Sequence, residues 1–378
     1  MDLKLKQADI INYFKIMGEK IEIKNRFMPD AYCKYNVKRG LRNKDGSGVL
    51  VGLTEIGDVH AYIYDDNEKV PVEGRLLYRG INIYDFCEGF LEENRFGFEE
   101  CIYLLLNGEL PDIKKLERFK NILGYYRSIP DDFVRANILN APSCDIMNQL
   151  ARLVLVMYSY DKNADDTSIS NLLRQSIDLA SKFPIMAAYG YQAKAHYLEG
   201  KSLYIHNPSP ELSTAENILK LLRPSGDYTE LEAKVLDLAL VLHAEHGGGN
   251  NSTFAARVVS SSGTDIYSSV AAAIGSLKGP KHGGANNKVI GMMNEIKKEV
   301  KDWGSDEEIS RYLEKIVRKQ AFDRSGLIYG MGHAVYTLSD PRCVLLKEQS
   351  EKLAKQVGRT DEFELYKKVE KLSPVVFR

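Results

Sequence analysis

The chain has 378 residues, of which 44% are hydrophobic and 27% charged, and its formal net charge is −1 at pH 7. This composition is typical of a soluble globular protein that is long enough for two domains. A net charge near zero provides no general attraction to nucleic acid or to an anionic membrane, so we expect neither as a partner.

The start of the chain and its cysteines indicate a cytoplasmic protein. The first residues, MDLKLKQADIINYFKIMGEK, lack the apolar run of a secretory signal, and Asp2, Asp9 and Glu19 are atypical of a mitochondrial presequence. No stretch approaches the roughly 18 apolar residues that span a bilayer. The five cysteines are odd in number and contain no Cys-x-x-Cys pair, which favours reduced thiols over a disulfide framework or a zinc ribbon.

Taken in order, the sequence predicts an N-terminal helix, a small β element and then helices almost throughout. Residues 1–25 are amphipathic, whereas residues 45–80 are rich in glycine and β-branched residues, as in short strands and turns. Apolar spacing and capping residues predict the later helices. These cover 114–126 after Asp112, 145–160 with Ser143 or Asp145 as cap, 168–196 with a break or kink at Pro184, 231–246, 284–303 and 341–357.

Glycines are concentrated between residues 247 and 284, which suits a domain junction or the wall of an active site because glycine permits close backbone approach. We therefore predict a mainly α fold with a large helical domain at 1–278, including the β element, and a small domain at 279–378.

The first segment whose residues could take part in catalysis or binding is HAEHGGGNNS at 243–252. His243 and His246 are three residues apart at the predicted end of a helix, so they would share one face. Zinc helices usually pair histidines four apart, and no third ligand is evident, so we predict no metal here. The plain alternative is a helix C-terminus at which the dipole favours histidine.

The second segment is GPKHGGAN at 279–286, in which His282 directly precedes a predicted helix. The positive end of the helix dipole favours a neutral imidazole, which could donate a hydrogen bond to a carbonyl oxygen as it becomes an enol. The alternative is an ordinary turn before a helix.

The third segment is YGMGHAVYTLSDPR at 329–342. Pro341 suits the first turn of a helix with Asp340 or Ser339 as its cap, which places Arg342 near the helix start. A guanidinium binds a carboxylate through two parallel hydrogen bonds, so His333 and Arg342 together suggest a polarised keto acid. For Arg342 alone, a surface salt bridge is the common alternative.

Other reaction classes lack their usual signatures. The chain contains no Gly-x-x-x-x-Gly-Lys-Ser/Thr, no Gly-x-Gly-x-x-Gly after a strand, no Gly-x-Ser-x-Gly and no His-Glu-x-x-His. Phosphoryl transfer, hydride transfer and serine hydrolysis are therefore disfavoured.

The three histidine–glycine segments, in this order and at these separations, resemble the signature segments of citrate synthases. YRGI at 78–81, FEECIYLLLNGELP at 98–111 and PIMAAYGY with the following KSLYIHNPSPELSTAENIL add to the resemblance, which covers roughly residues 30–378. It implies an α-helical, two-domain homodimer of the tricarboxylic acid cycle, an acyltransferase that condenses acetyl-CoA with oxaloacetate and water to citrate and CoA. It implies no cofactor, since acetyl-CoA is a co-substrate.

The resemblance also implies roles for individual residues. His246 and His333 would hold and polarise oxaloacetate, Arg342 would bind one of its carboxylates, and His282 would stabilise the enol of acetyl-CoA. Ser252 would orient the enol-stabilising histidine, with Asn250 beside it in the substrate site. The CoA-binding residues implied are Ile328, Tyr329, Gly330, Met331 and Gly332 at the adenine and Arg42 at the phosphates.

The chain departs from the family pattern in two ways. The family's catalytic aspartate, in an Asn-Val-Asp-x-x-Ser-Gly segment, and two further substrate-binding arginines follow the position of Arg378 and do not occur in these residues. Thr337 and Leu338 stand where relatives often carry a basic residue for a CoA phosphate.

Two alternatives to a citrate synthase remain open on the sequence. One is a 2-methylcitrate synthase that uses propionyl-CoA, because one methylene is worth only about 1–3 kcal/mol of discrimination. The other is a catalytically inactive dimer that binds oxaloacetate. For a polypeptide of these 378 residues, we expect oxaloacetate binding without thiol release.

Overall fold

A computed structural model describes residue 34 and residues 53–66, 68–279, 282–332 and 336–377. The described residues from 53 to 377 belong to one compact unit. The helix predicted at 1–25 lies outside the described residues.

A three-stranded antiparallel sheet forms the predicted β element. Its strands are β1 (Gly57–Asp65), β2 (Glu68–Tyr78) and β3 (Ile81–Asn82), in the order β1-β2-β3. Gly57 pairs with Tyr78, and the register shifts at a bulge between His60 and Tyr62. Residues 74, 76 and 78 of β2 are buried while 73 and 75 are exposed, which is the period-two alternation of a strand with one face on the core.

The rest of the described chain is mainly helical, as predicted. The helices are α1 (Ile83–Glu92), α2 (Phe98–Asn107), α3 (Ile113–Tyr126), α4 (Asp131–Phe133, continuing as a π-helix at Val134–Leu139), α5 (Ile146–Met157), α6 (Ile169–Tyr197), α7 (Thr214–Leu222), α8 (Glu230–Leu242), α9 (Asn251–Ser260), α10 (Ile266–Leu277), α11 (Ala285–Glu299), α12 (Asp306–Val317), α13 (Pro341–Gln356) and α14 (Thr360–Val376).

Side-chain caps fix several of these helix starts. Asp112, Asp145 and Asp340 each accept a backbone N–H from the first turn that follows, so three predicted caps are confirmed. The side-chain oxygen of a cap satisfies one of the N–H groups that have no partner within the helix.

Two predicted helix ends are wrong. α8 ends at Leu242 with His243 as its C-cap, so His246 lies in the loop beyond and shares no helical face with His243. The ring of His243 bonds back to the carbonyl oxygen of Ala239 at 2.6 Å, and the chain leaves the helix there, before the first glycine at Gly247. α11 ends at Glu299 rather than at Trp303. α6 continues through Pro184, so the break considered there does not occur, while the alternative of a kink stays a prediction.

Three large hydrophobic clusters organise the helices. The first joins the sheet to α1, α2 and α8, and Leu345 and Leu346 of α13 pack against it. The second joins α5, α6, α7 and α10. The third joins α11, α12, α14 and residues 328–331. The third cluster lies within the predicted small domain, while α13 reaches the first cluster, and the boundary at 278/279 stays a prediction.

Four cysteines within the described residues, Cys87, Cys101, Cys144 and Cys343, form no disulfide with one another. No described helix has both the length and the apolar content needed to cross a membrane.

Asp237 of α8 is a buried carboxylate that caps α2 from across the first cluster. It is 1% exposed and accepts the backbone N–H groups of Gly97 at 2.6 Å and Phe98 at 3.2 Å. Burial, together with the charge of the nearby Glu99, raises the pKa of Asp237 to about 7, although the two N–H bonds oppose the shift. The folded state therefore holds this proton more tightly than the unfolded chain does.

This proton should make stability depend on pH. A carboxyl whose pKa is raised on folding contributes stability that is complete below its unfolded value of 3.8 and is lost as the pH rises through about 7. We expect the free energy of unfolding, measured in urea, to fall between pH 5 and pH 8 by an Asp237-specific part of about 3 kcal/mol, because about two pH units of that interval lie below the folded pKa. The Asp237→Asn variant should lack that part; an identical pH slope in both proteins would contradict the assignment.

Candidate active site

The glycine-rich loop after α8 packs on strand β1. A Cβ at Gly57 would lie 2.5 Å from Cγ of Glu245, and one at Gly247, whose φ is +80°, would lie 3.1 Å from Val59. The carboxylate of Glu245 in turn accepts the N–H of Gly247 at 2.5 Å. Glycine at 57 and 247 thus lets this loop approach the sheet closely and carries His246 to its edge.

Tyr78 at the end of β2 ties the same loop to α8. The single hydrogen of its hydroxyl has two acceptors within reach, the carbonyl oxygens of Val241 at 2.9 Å and of Glu245 at 3.2 Å. The hydroxyl oxygen also accepts the N–H of Glu245 at 3.3 Å. These contacts of one fully buried phenol fix the turn between the helix and His246.

The segment before α13 packs on strand β2. The N–H of Gly74 donates to Oγ of Ser339 at 3.3 Å, and that hydroxyl donates to Glu73. A Cβ at Gly74 would lie 2.3 Å from the carbonyl oxygen of Ser339 and 2.7 Å from Cδ1 of Tyr336. The backbone of this segment therefore occupies the space that any larger residue at 74 would need.

Strand β2 and the loop on β1 bring His246 and Arg342 to one aromatic ring. The imidazole of His246 meets the ring of Tyr336 edge to face, with centroids 5.5 Å apart and planes at 74°. The guanidinium carbon of Arg342 lies 5.7 Å from the centroid of the same ring. Two predicted substrate residues separated by 96 positions in the chain thus share one contact.

Arg342 forms a bidentate pair with Asp340, the cap of α13. Nε donates to Oδ1 at 3.0 Å and Nη2 to Oδ2 at 2.7 Å. Burial would lower the pKa of Arg342, but the hydrogen bonds and charge of Asp340 outweigh it and raise the pKa. The pair holds the Nε–Nη2 edge of the guanidinium in place; Nη1 is not part of it. The salt bridge considered as an alternative for Arg342 does form, and both of its side chains are largely buried.

The predicted residues of the first segment form a helix start. The side chain of Asn250 caps α9 and accepts the N–H of Ser252 at 2.9 Å and its hydroxyl at 2.7 Å. The side chain of Asn251 donates to the carbonyl oxygen of Ser276 at 3.0 Å. This bond ties α9 to the end of α10, just before the turn that carries His282.

His282 lies exposed in a turn that immediately precedes α11. Its N–H donates to the carbonyl oxygen of Gly279 at 3.0 Å, and its own carbonyl accepts the N–H of Ala285 at 2.9 Å. The predicted position before a helix start is confirmed. The predicted role at an enol is not tested by this geometry.

The predicted adenine-binding segment belongs to the third hydrophobic cluster. Ile328 is 2% exposed, and Tyr329 donates its hydroxyl to Asp323 at 2.7 Å. The same carboxylate pairs with Lys288 of α11 at 2.9 Å. Gly330 and Gly332 have φ values of +87° and +82°, which explains glycine at both positions, and Met331 between them packs into the cluster.

Two predicted site residues, His333 and Arg42, lie outside the described residues. Three site-forming residues were missed in the sequence: Tyr336, Gly74 and Tyr78. Tyr336 lay within the third segment, and the only signal for Gly74 was a glycine in phase with Leu76 and Tyr78.

A separate cleft of about 780 Å³ lies between α13 and α14. Its apolar lining includes Leu346, Leu353, Val357 and Phe363, with Cys343 among its other residues. None of the predicted site residues that the structure describes lines this cleft.

A family described as "Citrate synthase, C-terminal domain" matches residues 45–378. The chain belongs to the citrate synthase family. A citrate synthase of Haloferax volcanii is 34% identical over 334 residues, which are 87% of this chain and 77% of that protein. A 2-methylcitrate synthase of Shewanella oneidensis is 32% identical over 288 residues, 75% of this chain and 68% of the relative.

Solved structures agree with this assignment. The crystal structure of the Pyrobaculum aerophilum citrate synthase superposes with a TM-score of 0.68 at 29% identity, covering 86% of this chain and 74% of that one. The mainly helical fold and the resemblance found in the three histidine–glycine segments are therefore confirmed, and the relatives support an acyltransferase of the citrate synthase type.

Proposed function

We propose that the protein condenses acetyl-CoA with oxaloacetate and water to citrate and CoA, and that His246 and Arg342 form part of its oxaloacetate site. The observation that carries this proposal is their meeting on the ring of Tyr336 in a member of the citrate synthase family.

Arg342 suits the role of carboxylate anchor. The side chain of Arg342 is 22% exposed, and Asp340 holds one edge of its guanidinium. The direction of the guanidinium is therefore set before a ligand binds. A preoriented guanidinium loses less entropy when it binds a carboxylate. His246, which contacts the same Tyr336 ring, would donate to the keto oxygen and make the ketone carbon electrophilic, with His333 as the second donor.

His282 suits the other substrate. A thioester methyl group is a weak carbon acid, so a donor must stabilise the enol oxygen while a base takes the proton. We assign the donor to His282, whose turn is tied to α9 through Asn251, and Ser252 to its orientation. We assign the base to no described residue. Residues 328–332 would receive the adenine, and Arg42 would meet the phosphates.

The remaining parts of the proposal concern the setting. We propose a cytoplasmic homodimer of the tricarboxylic acid cycle that needs neither metal nor cofactor, since the carboxylate, keto and thioester groups can all be addressed by arginine and histidine.

Thiol release tests the proposal. Protein expressed from its natural reading frame, given acetyl-CoA and oxaloacetate, should release CoA thiol only when both substrates are present, and faster than with propionyl-CoA. A preference for propionyl-CoA would favour the 2-methylcitrate reaction. Calorimetric binding of oxaloacetate without thiol release would indicate a binding protein, and absence of both would overturn the assigned site.

A further inference from the structure

Tyr336 is placed to do more than fill the core. It is 5% exposed, and its ring contacts the imidazole of His246 by its edge-to-face geometry while the guanidinium of Arg342 lies within cation–π range. These two neighbours come from different parts of the chain, since His246 lies in the loop seated on β1 and Arg342 lies in the first turn of α13. The ring is therefore a shared surface against which the imidazole of His246 and the guanidinium of Arg342 are both oriented.

Strand β2 holds the ring of Tyr336. A Cβ at Gly74 would meet Cδ1 and Cε1 of Tyr336 at 2.7 and 2.9 Å, so the phenol ring lies against the bare backbone of β2. Ser339, three residues further along, is anchored to the same strand by the N–H of Gly74 and by Glu73. The sheet thus fixes the ring, and the ring can fix its two neighbours.

The phenol acts here as a neutral aromatic group. Burial, with the charge of Asp340 adding to it, raises the pKa of Tyr336 to about 12. At neutral pH the hydroxyl stays protonated, so the ring face keeps the quadrupole that attracts a guanidinium. Asp340 holds one edge of Arg342 and Tyr336 lies against the guanidinium, which together restrict its orientation.

We propose that Tyr336 is a positioning residue for the oxaloacetate-binding pair His246 and Arg342, and that it acts through its aromatic ring. This inference rests on the proposed function, because it assigns both neighbours to oxaloacetate. It predicts a selective effect: loss of the ring should weaken the binding of oxaloacetate and leave the binding of acetyl-CoA largely unchanged.

The test compares Tyr336→Phe, which keeps the ring, with Tyr336→Leu, which removes it. We expect the leucine variant to raise the KM and calorimetric Kd for oxaloacetate about 10-fold, with the KM for acetyl-CoA unchanged, and phenylalanine to stay within about 3-fold of the wild type. Tyr336→Met, similar in length and apolar, replaces the leucine variant if that one does not fold.

Tyr189→Leu is the matched control. Tyr189 is 4% exposed and lies in the second cluster, where its hydroxyl donates to the carbonyl oxygen of His206 at 2.9 Å. It should lower the melting temperature without changing either KM. If Tyr336→Leu behaves like this control, Tyr336 is only a core residue. The inference about Tyr336 then fails while the proposed function stands. If the wild type neither binds oxaloacetate nor releases thiol, the proposed function fails and takes the inference with it.

Discussion

Replacing Arg342 with leucine is expected to lower kcat/KM for oxaloacetate by about 10²- to 10³-fold. The guanidinium carbon lies 5.7 Å from the centroid of the Tyr336 ring, and the bidentate pair with Asp340 sets the direction of the guanidinium. Leucine would remove the charge that binds the carboxylate and would leave Asp340 without its partner. The change should appear in steady-state kinetics at varied oxaloacetate and as loss of oxaloacetate binding in calorimetry.

Two variants separate this role from a general loss of charge. Arg342→Lys keeps the charge but cannot form the two parallel bonds, so we expect it to recover little activity. Arg318→Gln removes an exposed arginine that pairs with Glu314 on α12, and it should leave the kinetics unchanged. Wild-type affinity for oxaloacetate in Arg342→Leu would show that the substrate carboxylate binds elsewhere.

The secondary structure of the described chain could be predicted from the sequence because local rules decide most of it. Asp112, Asp145 and Asp340 are caps in the sequence and in the structure, since a cap needs only neighbours within one turn. The prediction failed at the end of α8. The apolar spacing ended at Leu242 and the helix was extended from there to His246, but His243 already terminates the helix and its ring bonds back to the carbonyl oxygen of Ala239 at 2.6 Å.

The candidate site could be predicted only in part, because its parts meet through tertiary packing. The histidine–glycine segments pointed to His246, His282 and Arg342, but no local pattern shows that His246 and Arg342 share Tyr336. That meeting depends on two loops packing against neighbouring strands of one sheet. Such approaches are set by close contacts between backbones, and a single sequence records them only as unexplained glycines.

Gly74 is the clearest of these glycines. It occupies a core-facing position of β2, in phase with Leu76 and Tyr78, where a large apolar residue would be ordinary. Its place is taken by the carbonyl oxygen of Ser339 and the ring of Tyr336. The missing side chain is what admits the segment that carries Arg342.

Gly74→Ala is therefore expected to disturb both stability and activity. Its methyl group would lie 2.3 Å from a backbone oxygen that cannot rotate away, so the 336–342 segment must shift. Overpacking of this kind costs about 1–3 kcal/mol of unfolding free energy. A shift of about 1 Å at a substrate-positioning group can cost about 100-fold in rate, so kcat/KM for oxaloacetate should fall by that order.

Gly89→Ala supplies the opposite expectation in the same protein. Gly89 is an exposed interior residue of α1, and a Cβ there meets nothing within 4 Å. Alanine should stabilise the helix by about 0.5–1 kcal/mol and leave the kinetics unchanged. Denaturant unfolding and oxaloacetate kinetics, measured on both variants, distinguish a steric clash of the new methyl group from the effect of removing the backbone freedom of glycine. If Gly74→Ala behaves like Gly89→Ala, the 336–342 segment does not depend on strand β2 for its position. Packing against the sheet would then not be what positions Arg342.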